Sequence, residues 1–326
     1  MKFQLTYRRY KRRFRRPVRF GSSIVDKREG IVLRLLREDG RCGYGEIAPV
    51  ESFGSESVDK AGALLKSFCG LFQDQYLKDD RIHAHPCTNY ALKCALNSLQ
   101  NDEADLPEGR PVASAKLAGL NDFLDSDAFV GRDVLKLKVG EKLQDLRSEW
   151  DQLEKVFALA REQHFSVRLD ANEQLTIEEA ERWIEFLLDH TDVIQFFEQP
   201  VDRTLLDELL VLSRMGVPLA LDESIPLLLG QSLAQELSDF YFIIKPSLGD
   251  CEIVESNDLS TEKLVISSVF ESAFGFSELL RNQFRNTPGL DTQEIFVEDD
   301  LVYPSQADGK YRANQLNLDE LWQKWG

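Results

Sequence analysis

The sequence predicts an α/β protein in which a closed parallel β/α barrel of the TIM type follows an N-terminal α+β domain. Residues 1–105 mix short alternating runs with two amphipathic segments, whereas strands and helices alternate regularly from residue 106 onward. The strands of this second part are largely apolar, as in parallel sheets that are buried on both faces. They belong to about eight strand-and-helix units, the number that closes a parallel barrel.

The N-terminal domain, residues 1–105, is predicted to combine an antiparallel meander with helices. Alternating polarity at 31–36 and 43–47 indicates strands. At 57–72 and 88–99 apolar residues recur every three or four positions, which predicts two helices. The composition of this part is therefore α+β, unlike that of the remainder.

The barrel, residues 106–300, is predicted from a repeated strand-then-helix order. Its six clearest strands lie at 133–139, 166–170, 193–198, 218–222, 240–245 and 263–267. The helices between them lie at 143–163, 177–188, 204–215, 227–237 and 250–257. A weaker strand at 112–116 and a last unit near 288–295 bring the number to about eight. An open doubly wound sheet is the competing architecture, but no glycine-rich phosphate loop follows its first strand.

The C-terminal segment, residues 301–326, ends in a short helical pattern. Leu318, Leu321, Trp322 and Trp325 recur at helical spacing and form one apolar face. Such a face is stable only when another element covers it. We therefore expect this segment to pack back on the N-terminal domain.

The amino-acid composition limits the classes of protein to which the chain can belong. The chain has 326 residues, of which 43% are hydrophobic and 29% charged, as is typical of soluble globular proteins. It has no apolar run of about 18 residues, so no membrane-spanning helix is expected, and it begins with no apolar stretch of signal-peptide length. The five cysteines show no CxxC spacing and indicate reduced thiols in a cytoplasmic protein.

The net charge of −17 hides an asymmetry between the N-terminus and the rest of the chain. Residues 1–20 carry nine of the 39 basic residues and no acidic residue, which leaves 30 basic and 56 acidic residues elsewhere. This acidic remainder would repel a polyanion. One basic segment without a recognisable nucleic-acid-binding fold is a weak signal, so nucleic-acid binding through residues 8–16 is kept only as a remote alternative.

The predicted strand at 133–139 carries two lysines on one face. Apolar and cationic residues alternate along it, so Lys136 and Lys138 project to the same side. Because neighbouring ammonium groups repel each other, such a pair belongs either to a solvated surface or to a site that faces carboxylates and a metal. In such a site, one lysine could acquire the lowered pKa of a general base.

The residues at the ends of the following strands help to decide between a solvated surface and a site. The reason is that the reacting groups of a parallel barrel lie at the carboxyl ends of its strands. Three successive strands end in an acidic residue, Asp170, Glu198 and Asp222, and the next strand ends in Lys245. Acids at three strand ends, with lysines on both sides, are hard to attribute to chance. They indicate a catalytic site.

The three carboxylates at these strand ends would need neutralisation, which a hard divalent cation with oxygen ligands provides. We therefore expect Asp170, Glu198 and Asp222 to bind Mg²⁺, with Mn²⁺ as an alternative ion. Glu223 follows Asp222 on the strand and is expected to point the other way. Together with Asn172 it would support the ligands without touching the ion. A metal that chelates a substrate carboxylate stabilises the charge formed when the α-proton leaves, and a lysine on either face can act as base.

The motifs at these strand ends, in this order and at these intervals, resemble the muconate-lactonising subgroup of the enolase superfamily. They are Lys-x-Lys at 136–138, Asp-x-Asn at 170–172, Glu-Gln-Pro at 198–200, Asp-Glu-Ser at 222–224 and Lys-Pro at 245–246. The resemblance covers essentially the whole chain and implies an enolase-like barrel capped by residues 1–105. Within the subgroup, the segments 43–49, 266–272 and 287–292 are similar to the o-succinylbenzoate synthase family.

The resemblance implies a Mg²⁺-dependent syn elimination of water from 2-succinyl-6-hydroxy-2,4-cyclohexadiene-1-carboxylate, through a metal-stabilised enediolate. The product is 2-succinylbenzoate, an intermediate of menaquinone or phylloquinone biosynthesis. Lys138 would remove the proton α to the ring carboxylate and then protonate the departing hydroxyl. Lys245 would stabilise the enediolate from the opposite face, and Lys136 would hold the substrate carboxylate and support a low pKa of Lys138. Ser267 and Ser268 would offer donors to the succinyl tail.

Two features of the sequence each allow more than one interpretation. Arg168 lies two residues before Asp170 and is expected to point into the barrel, where it would contact the substrate or form a structural ion pair. Residues 8–19 depart from the family, which has a strand leading into a mobile loop over the barrel mouth, because six of the nine residues from 11 to 19 are basic. An electropositive lid could aid capture of a dianion, whereas solvated basic residues on a strand are the alternative.

Two other functions are left open by the sequence. On the same fold, an N-succinylamino-acid racemase or a dipeptide epimerase would use the same two lysines, one on each face of the α-carbon. A nucleic-acid-binding protein would need the basic residues 8–16 and none of the lysines at the strand ends. For the enzymes the expected partner is a small-molecule carboxylate, and nothing in the sequence indicates an oligomeric state.

Overall fold

A computed structural model of the chain describes residues 1–20, 23–100, 111–120, 133–140, 146–228, 237–256, 259–282, 284–297, 299–306 and 309–325. The predicted domain boundary at 105/106 lies outside these residues, as does most of the helix predicted at 227–237. The described residues form an antiparallel sheet with helices, followed by a parallel β/α barrel. This confirms the predicted fold class, a TIM-type barrel preceded by an α+β part.

The N-terminal part is built on a four-stranded antiparallel sheet with the strand order β3-β2-β1-β4. Its strands are β1 (Lys2–Phe20), β2 (Ser23–Leu36), β3 (Cys42–Ile47) and β4 (Leu71–Gln73). Its helices are α1 (Val58–Ser67), α2 (Asp80–His83) and α3 (Pro86–Gln100). Helix α3 lies so close to β3 that a Cβ atom added to Gly45 would be 1.9 Å from the carbonyl oxygen of Ala91, which accounts for the glycine.

The helix predicted at 57–72 ends at Ser67 and not at residue 72. Cys69 and Gly70 have φ angles of 51° and 79°, and this left-handed backbone terminates the helix. The chain then enters β4, which pairs with the start of β1. The prediction was wrong here because the apolar spacing continues through the turn.

Among the described residues, the barrel has seven parallel strands in the order β12-β11-β10-β9-β8-β7-β6. They are β6 (Lys116–Ala118), β7 (Val134–Lys138), β8 (Ser166–Asp170), β9 (Ile194–Glu198), β10 (Leu219–Leu221), β11 (Tyr241–Ile244) and β12 (Leu264–Ile266). An extended segment at 287–291 takes the eighth position. Gly289 forms a parallel bridge with Ser267, and the Pro288 carbonyl accepts a hydrogen bond of 2.8 Å from the N–H of Ala115, which precedes β6. These contacts close the barrel.

The first barrel strand differs from the prediction at 112–116. Residues Pro111–Val112 form a separate short strand, β5, which pairs antiparallel with β13 (Tyr311–Arg312) near the C-terminus. The barrel strand itself begins at Lys116. The remaining helices are α4 (Leu146–Gln163), α5 (Ile177–Leu187), α6 (Leu206–Leu212), α7 (Asp250–Ser256), α8 (Ala273–Leu279) and α9 (Leu318–Lys324).

Side chains of the barrel strands alternate between two apolar layers. Leu135, Leu137 and Leu169 point outward and pack with Phe157 and Trp183 of the surrounding helices in one buried cluster. A second, smaller cluster of strand residues is formed by Phe196, Ala220, Ile243 and Val265. Residues of β7 and β8 that alternate with the outward set, among them the predicted site residues, therefore face the barrel interior.

A buried carboxylate joins the N-terminal sheet to the barrel. Glu46 of β3 accepts hydrogen bonds from the Tyr10 hydroxyl at 2.5 Å and from the N–H groups of Ser272 and Gly275, both at 2.9 Å. It therefore supplies the acceptor that the N-terminus of α8 requires. Near it, the Tyr44 hydroxyl lies 2.5 Å from Asp319 of α9. None of the described helices has the length and the hydropathy needed to cross a membrane.

Candidate active site

One pocket at the carboxyl ends of the barrel strands collects most of the predicted site residues. Its empty volume, including the open mouth, is about 730 Å³. The predicted residues that line it are Lys136, Lys138, Asp170, Asn172, Asp222, Glu223, Lys245, Ser267 and Ser268. The two others, Glu198 and Arg168, are buried next to it without forming its wall.

Lys136 lies between two of the predicted metal ligands. Its Nζ atom is 2.7 Å from both carboxylate oxygens of Glu198 and 2.9 Å from Asp170 Oδ2. Burial lowers the pKa of Lys136, but the charges of Asp170, Glu198 and Asp222 outweigh this and raise the pKa above its usual value. Lys136 is therefore a fixed positive charge, with Glu198 below it in the barrel.

Lys138 and Lys245 approach the pocket from different strands. The Nζ atom of Lys138 lies 3.3 Å from Asp170 Oδ2 and also donates to Asn172 Oδ1. Lys245, directly after β11, donates from Nζ to Asp222 Oδ1, and the same atom lies 4.2 Å above the centre of the Phe53 ring. Burial lowers the pKa of Lys245, but the charge of Asp222 outweighs it and raises the pKa.

Four buried acidic groups surround the three lysines of the pocket. They are Asp170, Glu198, Asp222 and Glu223, all less than 9% exposed. Burial and the charge of Asp170 raise the pKa of Glu198, while burial and the charge of Asp222 raise the pKa of Glu223. In the described part of the chain, the buried oxygen Oε2 of Glu223 accepts no hydrogen bond.

A divalent cation fits this set of residues, because they offer several buried carboxylate oxygens, the ligands that a hard cation prefers. Lys136 occupies the space between Asp170 and Glu198, so that no three acidic, histidine or cysteine side chains among the described residues already converge as a metal-binding group. An ammonium ion held by two carboxylates shows that a cation is accommodated at this point. The residues therefore fit Mg²⁺ by charge and by ligand type.

Glu223 lines the pocket, although strand alternation predicted that it would point away. Strand β10 ends at Leu221, so the alternation no longer governs the two following residues. The Asn172 side chain donates from Nδ2 to Glu223 Oε1 at 3.2 Å, and its backbone N–H donates to Asp170 Oδ1 at 3.0 Å. Asn172 has a φ angle of 43°, a left-handed conformation that asparagine tolerates well, and its amide thereby links Lys138 with Glu223.

Arg168 lies inside the barrel, one layer deeper than Asp170, and does not line the pocket. Its Nε atom donates to Gln195 Oε1 at 2.8 Å and its Nη2 atom to the Thr287 carbonyl at 2.7 Å. The guanidinium also lies 5.0 Å from the Phe196 ring centre, and burial lowers its pKa to about 10. These contacts join β8 to β9 and to the segment at 287–291. They favour a structural role for Arg168, and its contact with the substrate stays a prediction. A spacing of two residues indicates the side of the strand on which a side chain lies, but not its depth in the barrel.

The two predicted serines are placed differently. The Ser268 hydroxyl donates to Glu271 Oε2 at 2.5 Å and accepts a hydrogen bond of 2.8 Å from the Phe270 N–H. The Ser267 hydroxyl, on the adjacent part of the pocket wall, lies 3.5 Å from the Gly289 carbonyl oxygen, a long contact. Ser267 is therefore the better placed of the two to donate to a ligand.

Several pocket residues were missed by reasoning from the sequence. Phe53 comes from a short 3₁₀ turn, Glu51–Phe53, and Phe270 from the segment after β12. Asp291 lines the pocket beside the eighth strand segment and forms an ion pair of 3.0 Å with Lys116. Gln199, whose Oε1 accepts from the Asp222 N–H at 3.1 Å, fixes a predicted ligand. Gln199 belongs to the Glu-Gln-Pro motif, and Phe270 and Asp291 lie in the segments 266–272 and 287–292, whereas Phe53 had no signal.

The basic residues at 8–19 lie on β1, which pairs with β2 on both sides of an irregularity between Arg13 and Val18. Arg12 is buried and forms an ion pair of 2.9 Å with Asp299, whereas Lys11, Arg13 and Arg15 are exposed. Among the residues that the structure describes, none of these basic side chains lines the pocket. The geometry therefore favours a strand with a solvated basic face over a basic lid.

Two family profiles match the chain. Residues 3–99 match the one described as MenC, N-terminal domain, and residues 126–228 match Enolase C-terminal domain-like. The second segment contains the strands that carry Lys136, Lys138 and Asp170. The two matches therefore follow the division between the antiparallel sheet and the barrel.

Similar proteins include two kinds of enzyme. The o-succinylbenzoate synthase of Edwardsiella ictaluri is 30% identical over 95% of this chain and 98% of its own length. The hydrophobic dipeptide epimerase of Roseobacter litoralis is 28% identical over 66% of each chain. The crystal structure of o-succinylbenzoate synthase from Thermosynechococcus elongatus BP-1, complexed with Mg in the active site, has a TM-score of 0.76 and 25% identity, and the alignment covers 98% of this chain and 99% of that one. The similarity to the synthases thus extends over the full length.

Proposed function

The chain belongs to the o-succinylbenzoate synthase family of hydro-lyases in the enolase superfamily, and we propose that it eliminates water from 2-succinyl-6-hydroxy-2,4-cyclohexadiene-1-carboxylate to give 2-succinylbenzoate. One observation carries the proposal: Lys138 and Lys245 reach one pocket from two strands, paired with Asp170 and Asp222 respectively. The product would serve menaquinone or phylloquinone biosynthesis.

Lys138 is proposed as the acid and base of the reaction. Its side chain is 34% exposed and reaches the pocket. As a neutral amine it would take the proton α to the ring carboxylate, and as the resulting ammonium it would give that proton to the departing hydroxyl. The proton and the hydroxyl then leave from the same face as water, which accounts for a syn elimination with one lysine.

Lys245 and Lys136 are proposed to act as positive charges. Lys245 is held as an ammonium by Asp222 and would stabilise negative charge on the substrate from the wall opposite Lys138. Lys136, fixed by Glu198, would attract the substrate carboxylate. These two lysines thus orient and stabilise, while Lys138 moves the proton.

Asp170, Glu198 and Asp222 are proposed to hold Mg²⁺, with Mn²⁺ as an alternative. When bound, the ion would supply positive charge that makes the α-proton of the substrate carboxylate more acidic. The buried carboxylate oxygens of the site and the Mg complex of the Thermosynechococcus synthase support this choice. Asn172 and Glu223 would keep these carboxylates and Lys138 in place through their mutual hydrogen bond.

The proposal is tested by incubating the purified protein with the cyclohexadiene carboxylate and Mg²⁺ and following 2-succinylbenzoate by its absorbance. The expected result is enzymatic dehydration. An absence of product, while N-succinyl amino acids or dipeptides exchange their α-hydrogen with deuterated solvent, would contradict it.

Epimerisation is the second candidate, because lysines on two sides of one pocket are also what proton transfer across an α-carbon needs. The similarity to the Roseobacter dipeptide epimerase favours it specifically. We expect any racemase or epimerase activity to have a kcat/KM at least about tenfold below that of dehydration. The ratio of the two values, measured on one enzyme preparation, decides between the functions.

A further inference from the structure

Two buried arginines of the N-terminal sheet hold the pocket segment that follows β12. Arg12 and Arg28 are directly opposite each other in the β1–β2 hairpin and are 2% and 5% exposed. Buried arginines are rare unless their guanidinium groups are well bonded. Their hydrogen bonds therefore indicate what they stabilise.

The two guanidinium groups donate to carbonyls on either side of one pocket residue. Arg28 donates from Nε to the Val269 carbonyl at 2.9 Å, and Arg12 donates from Nη1 to the Glu271 carbonyl at 2.8 Å. The residue between these carbonyls is Phe270, which lines the pocket. Phe14 of β1 also packs against it, edge to face, with ring centres 5.5 Å apart.

Phe270 has a backbone conformation that an aromatic residue rarely adopts. Its φ angle is 65°, in the left-handed region, where a bulky side chain is strained. Such a conformation persists only where the surroundings fix it. Besides the arginines, the Ser268 hydroxyl accepts from the Phe270 N–H at 2.8 Å, and Glu271 Oε2 accepts from the Val269 N–H at 3.0 Å.

Arg28 also holds the segment that leads to Phe53, the second aromatic residue of the pocket wall. Arg28 donates from Nη1 to the Pro49 carbonyl at 2.6 Å, four residues before Phe53. Arg203 donates to the Ser52 carbonyl at 2.8 Å, which fixes this turn from the barrel side. Arg28 thus spans the segments that carry Phe53 and Phe270.

We infer that Phe270 is a specificity-determining residue, and that Arg12 and Arg28 are positioning residues that hold its ring in the pocket wall. The lysines and carboxylates fix the charged end of a ligand, so the aromatic walls are left to select its carbon skeleton. The identity of that skeleton, a succinyl-substituted ring, rests on the proposed function. The basic strand β1 would then contribute to substrate selection through Arg12, without reaching the substrate.

The test compares three variants. Phe270→Gly removes the ring and keeps the backbone, because glycine adopts a φ angle of 65° without strain. Arg28→Lys keeps the positive charge but removes the guanidinium group, whose nitrogens donate to the carbonyls of both Val269 and Pro49. Arg13→Met is the matched control, since Arg13 follows Arg12 on the same strand but is exposed.

For Phe270→Gly and Arg28→Lys we expect KM for the cyclohexadiene carboxylate to rise about tenfold while kcat changes less than about threefold. The preference for this substrate over an N-succinyl amino acid should fall by a similar factor, and Arg13→Met should leave both quantities unchanged. An unchanged KM and preference in folded Phe270→Gly, or a loss confined to kcat, would overturn the inference. If the wild type only epimerises dipeptides, the proposed function fails, and the same comparison of KM values with a dipeptide still tests the role of Phe270.

Discussion

Lys136 and Lys138 are two residues apart on β7, yet their surroundings give them different roles. Lys136 is enclosed by Glu198 and Asp170, whereas Lys138 reaches the pocket beside Asn172. Strand alternation predicts that both lysines share a face, and the motif order places the acids beside them. Strand alternation does not predict how deep in the barrel a side chain lies, so the position of Arg168 below the pocket was not predicted. Nor does it predict the direction of a side chain beyond a strand end, such as that of Glu223, which lines the pocket.

Replacing Lys138 with alanine should remove the group that transfers the proton. We expect kcat/KM for dehydration to fall by at least about 10³-fold, the upper part of the range for a general acid and base. Product binding, measured by calorimetry, should change little. The control is Lys155→Ala, at an exposed lysine of α4, which should keep full activity. A Lys138→Ala enzyme with a tenth or more of the wild-type rate would exclude this role.

Glu278 should make folding stability depend on pH. Burial raises its pKa to about 7, and Arg281, 2.8 Å away, offsets this only in part. Since the folded pKa is higher than the unfolded value of 4.5, the protonated form favours folding. This contribution is complete below the unfolded pKa and is lost as the pH rises through about 7.

The variant Glu278→Gln removes this titration. We expect its free energy of unfolding in urea to match that of the wild type at low pH and to exceed it at pH 8 by about 1–3 kcal/mol. Glu262→Gln is the control, because Glu262 is also paired with an arginine but is 71% exposed. An equal difference between Glu278→Gln and wild type at both pH values would show that the carboxyl does not titrate in this range.

The elements of the barrel follow from the sequence more closely than their connections do. Strand β8 spans 166–170 as predicted, because Val167 and Leu169 alternate with polar residues up to the motif that ends it. Helix α1 ends early because of a left-handed turn at Cys69 and Gly70, which no periodicity reveals. Contacts between elements, such as Glu46 at the N-terminus of α8, join residues 226 positions apart and leave no local pattern.

Glu46→Gln should weaken the contact between the N-terminal sheet and the barrel. The carboxylate accepts from Tyr10, Ser272 and Gly275, and an amide would bring donors against these donors. We expect a loss of about 2–4 kcal/mol in the free energy of unfolding in urea. Glu51→Gln, at an exposed carboxylate of the same part, should change it by less than about 0.5 kcal/mol. Equal stability of the two variants would contradict the role of Glu46.

At the scale of the whole molecule, the site depends on both parts of the chain. The barrel supplies the lysines and carboxylates, while the N-terminal part supplies Phe53 and the two arginines that hold Phe270. The charge asymmetry could be predicted from the sequence. The hydrogen bond of Arg12 to the Glu271 carbonyl could not, because the two residues are 259 positions apart. The exposed basic residues of β1 remain a solvated face beside an otherwise acidic body.

We propose that carboxylates from three strands and lysines from two strands form one metal-dependent site for removal of an α-proton. The most direct measurement is the rate of dehydration of the cyclohexadiene carboxylate by the same protein with Mg²⁺, with a chelator, and after Mg²⁺ is restored. We expect the chelator to abolish the rate and added Mg²⁺ to recover it. A chelated protein that forms 2-succinylbenzoate at the full rate would contradict it.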